Sequence, residues 1–266
     1  MKECLDGHSG FDIDKESGHS GIEIAKILTE IKDIQISKFV AGTKFNVIPS
    51  NSECVFFTDM KLDDLNNIIN NFKSQFNKKY KNANICIEAI KENRIENTLS
   101  NFESITFLNS ILNFKHGIFC KNADGLVTTS QNLGVIDLEN NIFKIGVRSS
   151  KKKEEGTILE YLTDYATQNK YELKILGSQP GFETKEDSNL IKKLSTAHKN
   201  SIADEKLVIK PVHITLESGF FSNKIKDLEV AVISPKIIGA HTTSEQVEIK
   251  SIYDCDKWIY AFLNTL

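Results

Sequence analysis

Apolar positions along the chain recur first at helical and then at strand spacing. In Ser20-Gly-Ile-Glu-Ile-Ala-Lys-Ile-Leu-Thr-Glu-Ile-Lys32, Ile24, Ile27, Leu28 and Ile31 fall three or four apart and share one face, which predicts a packed helix with Ser20 as its cap. Extended segments follow at Ile34 to Val40 and Glu53 to Thr58, divided by the turn-forming Pro49-Ser50-Asn51-Ser52. The run from Leu62 to Phe76 returns to helical spacing. Ala83 to Ile90 then alternates as a strand, with Ile85 and Ile87 on one face and Ala89 a further candidate.

The same order comes round again. Ser104 to Phe114 reads as a helix, Gly125 to Leu138 and Asn141 to Ser149 as two strands about the turn Glu139-Asn140-Asn141, Thr157 to Gln168 as a helix and Tyr171 to Gly177 as a strand. Two successive α-β-β-α-β units, about 1–92 and 93–184, predict an α+β region built from two ferredoxin-like units, each a small sheet covered on one face by two helices. The polar run after Gln179-Pro180-Gly181-Phe182 marks a crossing to a second region, 185–266. There a helix near Leu190 to His198, short strands at Leu207 to Ile209 and Leu228 to Ile233, and a closing helix near Lys250 to Leu263 alternate as in a parallel α/β sheet. Too few strands are present to complete such a sheet, so this segment is an incomplete α/β piece with an exposed apolar face.

Composition narrows the function classes. The chain has 266 residues, 40% hydrophobic and 26% charged, enough to bury a sizeable core as one or two domains. Its net charge of -3 offers no basic footprint for nucleic acid. Cys4, Cys54, Cys86, Cys120 and Cys255 are odd in number, widely spaced and free of any CxxC pair, as expected of thiols in a reducing compartment. With no apolar leader in Met-Lys-Glu-Cys-Leu-Asp-Gly-His and no stretch of membrane-spanning length, the expected location is cytoplasmic.

Candidate chemistry sits in a few loops and strand ends. His241, in Gly-Ala-His-Thr-Thr, follows Pro235, which stops the strand that ends near Ile233, so the imidazole stands at a loop tip beside a sheet end. A lone histidine there is otherwise a surface residue. Glu217 by itself reads as a charge opposing the dipole of a helix that starts before Phe220 and Phe221. Flanking glycines in Asp6-Gly7-His8-Ser9-Gly10 present His8 at another loop tip. The second copy, Gly18-His19-Ser20-Gly21, reads as a helix start, and Arg148 by itself reads as a solvent-facing residue at a strand end.

Taken in order, these segments resemble the Xaa-His dipeptidase (aminoacyl-histidine dipeptidase) family of zinc metallopeptidases. Gly7-His8-Ser9-Gly10-Phe11-Asp12-Ile13 is similar to its Gly-Gly-His-Ser-Gly-Val-Asp-Ile, with Asp6 in place of the first glycine, and Gly42 to Pro49 to its Gly-Gly-x-x-x-Asn-Ala-Ile-Pro turn. Gly125-Leu-Val-Thr-Thr-Ser-Gln-Asn132-Leu-Gly-Val135 is similar to Gly-Leu-Val-Glu-Thr-Ser-x-Asn-Leu-Gly-Val, Val147-Arg148-Ser-Ser150 to an Arg-Ser-Ser segment, and Gln179 to Phe182 to Tyr-Pro-Gly-Trp. Pro211-Val-His213-Ile-Thr-Leu-Glu217-Ser-Gly219 and Gly239-Ala-His241-Thr-Thr-Ser-Glu245 resemble His-Ala-Gly-Leu-Glu-Cys-Gly and Gly-Ala-His-(Ser/Thr)-Pro-Asp-Glu. Ile214-Thr215, Ser218 and Thr243-Ser244 depart from the pattern; without the proline after it, the turn that aims His241 is looser.

The resemblance implies that residues 1–184 are a lid of dimerisation type and 185–266 the C-terminal segment of the catalytic domain. It implies that His8 stabilises an oxyanion, that Arg148 takes the peptide's terminal carboxylate through a planar two-pronged contact, that Asn132 and Glu217 bind substrate, and that His241 is a zinc ligand. His213 is assigned a structural role. The family's His-x-Asp motif, bridging aspartate, Glu-Glu pair and further aspartate all precede its Gly-His-Ser-Gly, and Met1 stands seven residues before His8. Catalytic zinc needs about three protein ligands and an open position. The expectation is a truncated fragment that binds a dipeptide substrate and is inactive alone, zinc not being retained unless a complementing N-terminal half supplies the other ligands and the general base. The alternative is a non-catalytic dimerisation or peptide-binding module acting through Arg148 and Asn132, as a homodimer.

Overall fold

The computed structural model describes residues 1, 7–10, 12–14, 18–79, 84–90, 98–123, 125–182, 188–202, 206–209, 213, 216–240 and 244–266, without the side chains of residues 7, 77–79 and 152. In chain order the elements are β1 (Gly7–His8), α1 (Ser20–Leu28), β2 (Gln35–Ala41), β3 (Val47–Ile48), β4 (Ser52–Phe57), α2 (Leu62–Lys79), α3 (Asn101–Asn113), β5 (Gly117–Lys121), β6 (Val127–Asp137), β7 (Ile142–Ser149), α4 (Lys152–Gln168), α5 (Asn189–Ser201), α6 (Ser218–Lys224), β8 (Ile237–Ile238), β9 (Gln246–Val247) and α7 (Ile249–Leu263).

An antiparallel sheet of five strands organises the first part of the chain, and β6 is its spine. One edge of β6 pairs with β7 from Thr129↔Ser149 to Asp137↔Ile142. The other edge is shared: β5 takes its first half, from Lys121↔Val127 to Gly117↔Gln131, and β2 takes its end, at Val40↔Asp137 and Ala41↔Ile136, with β4 beyond β2. Against this sheet α1, α3 and α4 bury Ala25, Leu28, Leu108, Ile111, Leu162 and Tyr165, which meet Phe39, Leu133 and Ile136 in one core. Each of the leucines, isoleucines and phenylalanines among them contributes about 1.5–3 kcal/mol on burial.

Between its two partners on the shared edge, β6 leaves Leu133 without a strand neighbour, and two imidazoles take the neighbour's place. His19 Nε2 lies 2.7 Å from the Leu133 carbonyl oxygen, and His116 Nδ1 accepts the Leu133 N–H at 3.3 Å. The rings meet edge to face, centroids 4.6 Å apart. His19 is also the cap of α1, its Nδ1 accepting the Ile22 N–H at 3.1 Å, so the neutral ring carries its proton on Nε2. This corrects the assignment of the cap to Ser20, whose buried hydroxyl has no hydrogen-bond partner. Burial lowers the His19 pKa to about 4, and burial followed by repulsion from His19 lowers that of His116 to about 3.

Two expected separate sheets are therefore replaced by one, in which β2 and β4 of the first half join β5, β6 and β7 of the second. The strand expected over 83–90 reduces to an isolated bridge at Asn84 followed by residues 85–90 in neither helix nor strand; residue 83 lies outside the described residues. The strand expected over 171–177 is also in neither class. Tyr171 explains its start: the ring packs on Phe143 and the hydroxyl lies 2.8 Å from Ser110 Oγ, while Leu176 further on is 88% exposed. Strand β5 lies where the sequence reading left a connection.

In the C-terminal part, α5 and α7 pack together through Trp258, whose Nε1–H donates to Leu194 O at 2.8 Å and whose ring meets His198 edge-on. The Glu229 carboxylate accepts the Asn189 and Leu190 N–H groups, closing the start of α5. The strands expected at 207–209 and 228–233 are in neither helix nor strand. Helix α7 is amphipathic yet has no buried residue, and Phe221, Val232, Ile249, Tyr253, Tyr260 and Leu263 are all more than half exposed. A hydrophobic-surface dye is expected to fluoresce with the purified chain and less so after Tyr260→Ser with Leu263→Ser; a chain that leaves the dye dark has covered that face.

The histidine pair gives a second expectation. Unfolded imidazoles bind protons near pH 6.5, whereas the folded rings resist to about 4 and 3. In that window the unfolded state holds more protons, so stability is full above about pH 6.5 and declines as pH falls, by about 1.4 kcal/mol per pH unit for each histidine. Thermal melts from pH 7 to 4 should show a shallower decline for His116→Gln than for the parent chain; equal slopes would remove His116 from the acid response.

Candidate functional site

The polar face of the β6–β7 pair gathers side chains from three distant segments. Ser130 and Arg148 are cross-strand partners in register, so they emerge on the same side of the sheet. Over them lies the loop after β1, which is anchored because β1 pairs with β3 and the Ser9 N–H donates to Asn46 O at 3.1 Å. Arg148 Nε and Nη2 both point at Ser9 Oγ, 3.4 Å away. On the other side of Ser130, its Oγ lies 2.8 Å from His213 Nε2. Burial lowers the pKa of Arg148, leaving a guanidinium partly stripped of water.

His8 is buried beside this group. Its Nδ1 accepts the Gly10 N–H at 3.1 Å, and its own N–H donates to Asp12 Oδ2 at 2.8 Å. With Nδ1 accepting, the neutral ring bears its proton on Nε2 and is a donor there. Gly10 permits the contact with the C-terminal segment: a Cβ at that position would lie 2.3 Å from His213 O. Backbone, hydroxyl, guanidinium and imidazole thus meet where 7–10, β6, β7 and residue 213 converge.

Asn132 shares the face two residues along β6, but its amide is engaged in holding the chain. Nδ2 donates to Phe45 O at 2.7 Å and to Val47 O at 2.9 Å, tying down the turn before β3. Gly134 next to it lets that turn descend on the strand; a Cβ there would lie 2.5 Å from Lys44 O. Asn132 Oδ1 is buried with no hydrogen-bond partner. Glu217 is exposed at the N-cap of α6 and makes no side-chain cap bond, and no described contact brings it to Arg148. His241 lies outside the described residues; in sequence it falls between the paired strands β8 and β9.

Sequence reasoning thus finds His8, Arg148 and Asn132, which the fold brings to one face, and misses Ser9, Ser130 and His213 as a group. Only the β6–β7 register would have found Ser130. Burial lowers the pKa of His213 to about 4, with Arg148 adding to the effect and Asp14 opposing it. Tested against zinc, the described residues do not fit it: no three or more His, Cys, Asp or Glu among them are grouped to hold a metal ion. No helix among the described residues is long and apolar enough to cross a membrane.

No protein-family profile matches the chain. The chain is 23% identical to the cytosol non-specific dipeptidase of Escherichia coli (strain K12), over 95% of its own length and 54% of the relative's. The crystal structure of aminoacylhistidine dipeptidase from Vibrio alginolyticus matches 100% of the chain with a TM-score of 0.76 at 22% identity, covering 56% of that protein, a likeness of fold. The chain spans about half the length of the relatives it matches. Asn132→Ala is expected to destabilise the chain by about 1–3 kcal/mol, because two carbonyls lose their donor. Urea unfolding and protease cutting within 42–48 read this; an unchanged midpoint would show that the turn does not depend on the amide.

Proposed function

We propose, from a chain similar to the dipeptidase family along 95% of its length, that these residues form the lid and carboxylate-binding wall of a peptidase acting on dipeptides, Xaa-His among them. The observation that carries this is the convergence of the His8 segment and Arg148 across Ser9 on the β6–β7 face. A partly desolvated guanidinium suits a peptide's terminal carboxylate, since a charge-assisted bond gains strength away from water. His8, donating through Nε2, suits the oxyanion that develops at the scissile carbonyl, a contact typically worth about 10² to 10³ in rate. Asn132 contributes by holding the turn that carries the lid, and Glu217 is the pocket carboxylate contributed by the segment before α6. His241 is the candidate zinc ligand of this sequence.

In this proposal 1–184 is a lid with a dimerisation surface, 185–266 is the C-terminal segment of a catalytic domain, and the protein works in the cytoplasm. The exposed apolar face of α7 and the segments 206–209 and 228–233, which are in neither helix nor strand, support a further α/β half that docks there and contributes the general base and the remaining ligands. The same bare face equally suits a peptide-binding module that docks on a partner without catalysis. Purified alone, the 266 residues are expected to bind alanyl-alanine, to lose at least tenfold in affinity with Arg148→Gln, and to show no hydrolysis that a chelator abolishes. Adding a separately expressed half bearing the missing ligands should restore chelator-sensitive turnover. Restoration selects the peptidase, binding with no restoration selects the module, and unaltered affinity in Arg148→Gln overturns the carboxylate wall in either case.

A further inference from the structure

We infer that His213 is a second carboxylate-binding residue, placed beside Arg148 by Ser130, and that ligand binding at this wall takes up a proton through it. The inference rests on the assignment of Arg148 above and adds to it a residue that the sequence reading gave only a structural role. Three observations carry it. His213 is held at one ring nitrogen: Nε2 lies 2.8 Å from Ser130 Oγ, and Ser130 is the in-register neighbour of Arg148. Its main chain is seated on the His8 loop, where Gly10 leaves room for its carbonyl. The ring is half-buried, and Nδ1 has no hydrogen-bond partner among the described residues, so it remains for a ligand.

Among the described residues, the charged groups acting on the ring are Arg148 from β7 and Asp14 from the loop after β1, and His8 lies across Gly10 from the His213 carbonyl. Without ligand, burial and the neighbouring guanidinium keep the imidazole neutral down to about pH 4. A carboxylate on Arg148 reverses that balance, since it neutralises the guanidinium and puts a negative charge beside Nδ1. A shift of about two pH units in the imidazole is ordinary for a new opposite charge at contact distance. The bound ring takes one proton from solvent, forms an N–H bond and then donates from both nitrogens, to Ser130 and to the ligand. Linkage then requires tighter binding at lower pH, by roughly tenfold between pH 7 and pH 5 for that shift.

N-acetylalanine is a suitable probe, because its only titratable group ionises below this range and it carries the carboxylate and amide of a dipeptide's second residue. Calorimetry on the full chain should give affinity that rises roughly tenfold from pH 7 to 5, with proton uptake measured in buffers of different ionisation enthalpy. His213→Gln should weaken binding and flatten the pH response, and His8→Gln should keep the slope. In the unmodified chain, the His213 ring resonances should titrate at higher pH with the probe bound than without it, a reading that no merely structural role would move and that needs no variant to fold. Binding that Arg148→Gln abolishes but that is flat with pH, or a slope that survives His213→Gln, overturns the role of His213 alone. A chain that does not bind the probe even at pH 5 overturns both His213 and the carboxylate wall.

Discussion

The shared edge of β6 is the constraint on which the rest of the first part depends. A strand in the middle of a sheet must have its backbone groups paired on both sides, and an orphan buried N–H or C=O costs about 1–3 kcal/mol. On one side β7 meets this requirement along nearly the whole strand. On the other, β5 stops at Gln131 and β2 begins at Ile136, and the gap falls at Leu133, which is fully buried. His19 and His116 close it with one hydrogen bond each. Neutral imidazole is suited to the task because a single ring offers one donor and one acceptor. His19 uses both, joining the start of α1 to β6, so the helix and the strand are fixed by one side chain.

That junction also sets the site. Residues before the gap, Ser130 and Asn132, face the loop after β1 and the turn before β3, whereas Leu133 and Ile136 enter the core under α1 and α3. Moving the crossover of β5 and β2 by one residue would exchange these faces, because side chains alternate along a strand. The carbonyls of Phe45 and Val47 would then lose Asn132, and Arg148 would lose its place opposite Ser130.

Much of this was legible in the chain and some was not, for physical reasons. Helices α1, α2, α3, α5 and α7 announce themselves by apolar spacing, but α3 starts at Asn101, before the expected Ser104, because the Ser100 and Glu103 capping box sets its start. The β6–β7 hairpin follows from its turn. The joining of β2 to β6 has no local signature, since two backbone pairs between residues nearly a hundred apart leave no pattern in either segment. The strands expected at 171–177 and 228–233 have the right residues, but a strand needs a neighbour as well as a propensity. His19 was read correctly as a helix start and wrongly as a bystander to Ser20, because histidine is an uncommon cap and its second contact lies on β6. His8 and Arg148 are singled out by their flanking motifs, while the contact of His213 with Ser130 has no signal in the chain because the two are remote in sequence.

Consistency between levels breaks down in one place, and that place is the candidate site. Thr128, Thr129, Ser130, Gln131 and Asn132 are five consecutive polar residues, all buried in a central strand where alternation with apolar residues is the rule. Thr128 and Thr129 are satisfied by Glu154, which accepts from both hydroxyls, and Gln131 donates to the Lys115 carbonyl. Satisfaction is incomplete, since Gln131 Oε1 and Asn132 Oδ1 remain buried without donors. An apolar strand would be more stable there, because each unpaired acceptor forfeits its hydration with no return. What the polar run provides is a stiff row of side chains whose hydroxyls and amides fix the His213 ring, the 42–48 turn and the start of α4 against one another. In the proposed carboxylate wall, a guanidinium and an imidazole held at fixed separation around a small anion would need that stiffness, which gives the polar run a reason that folding alone does not supply.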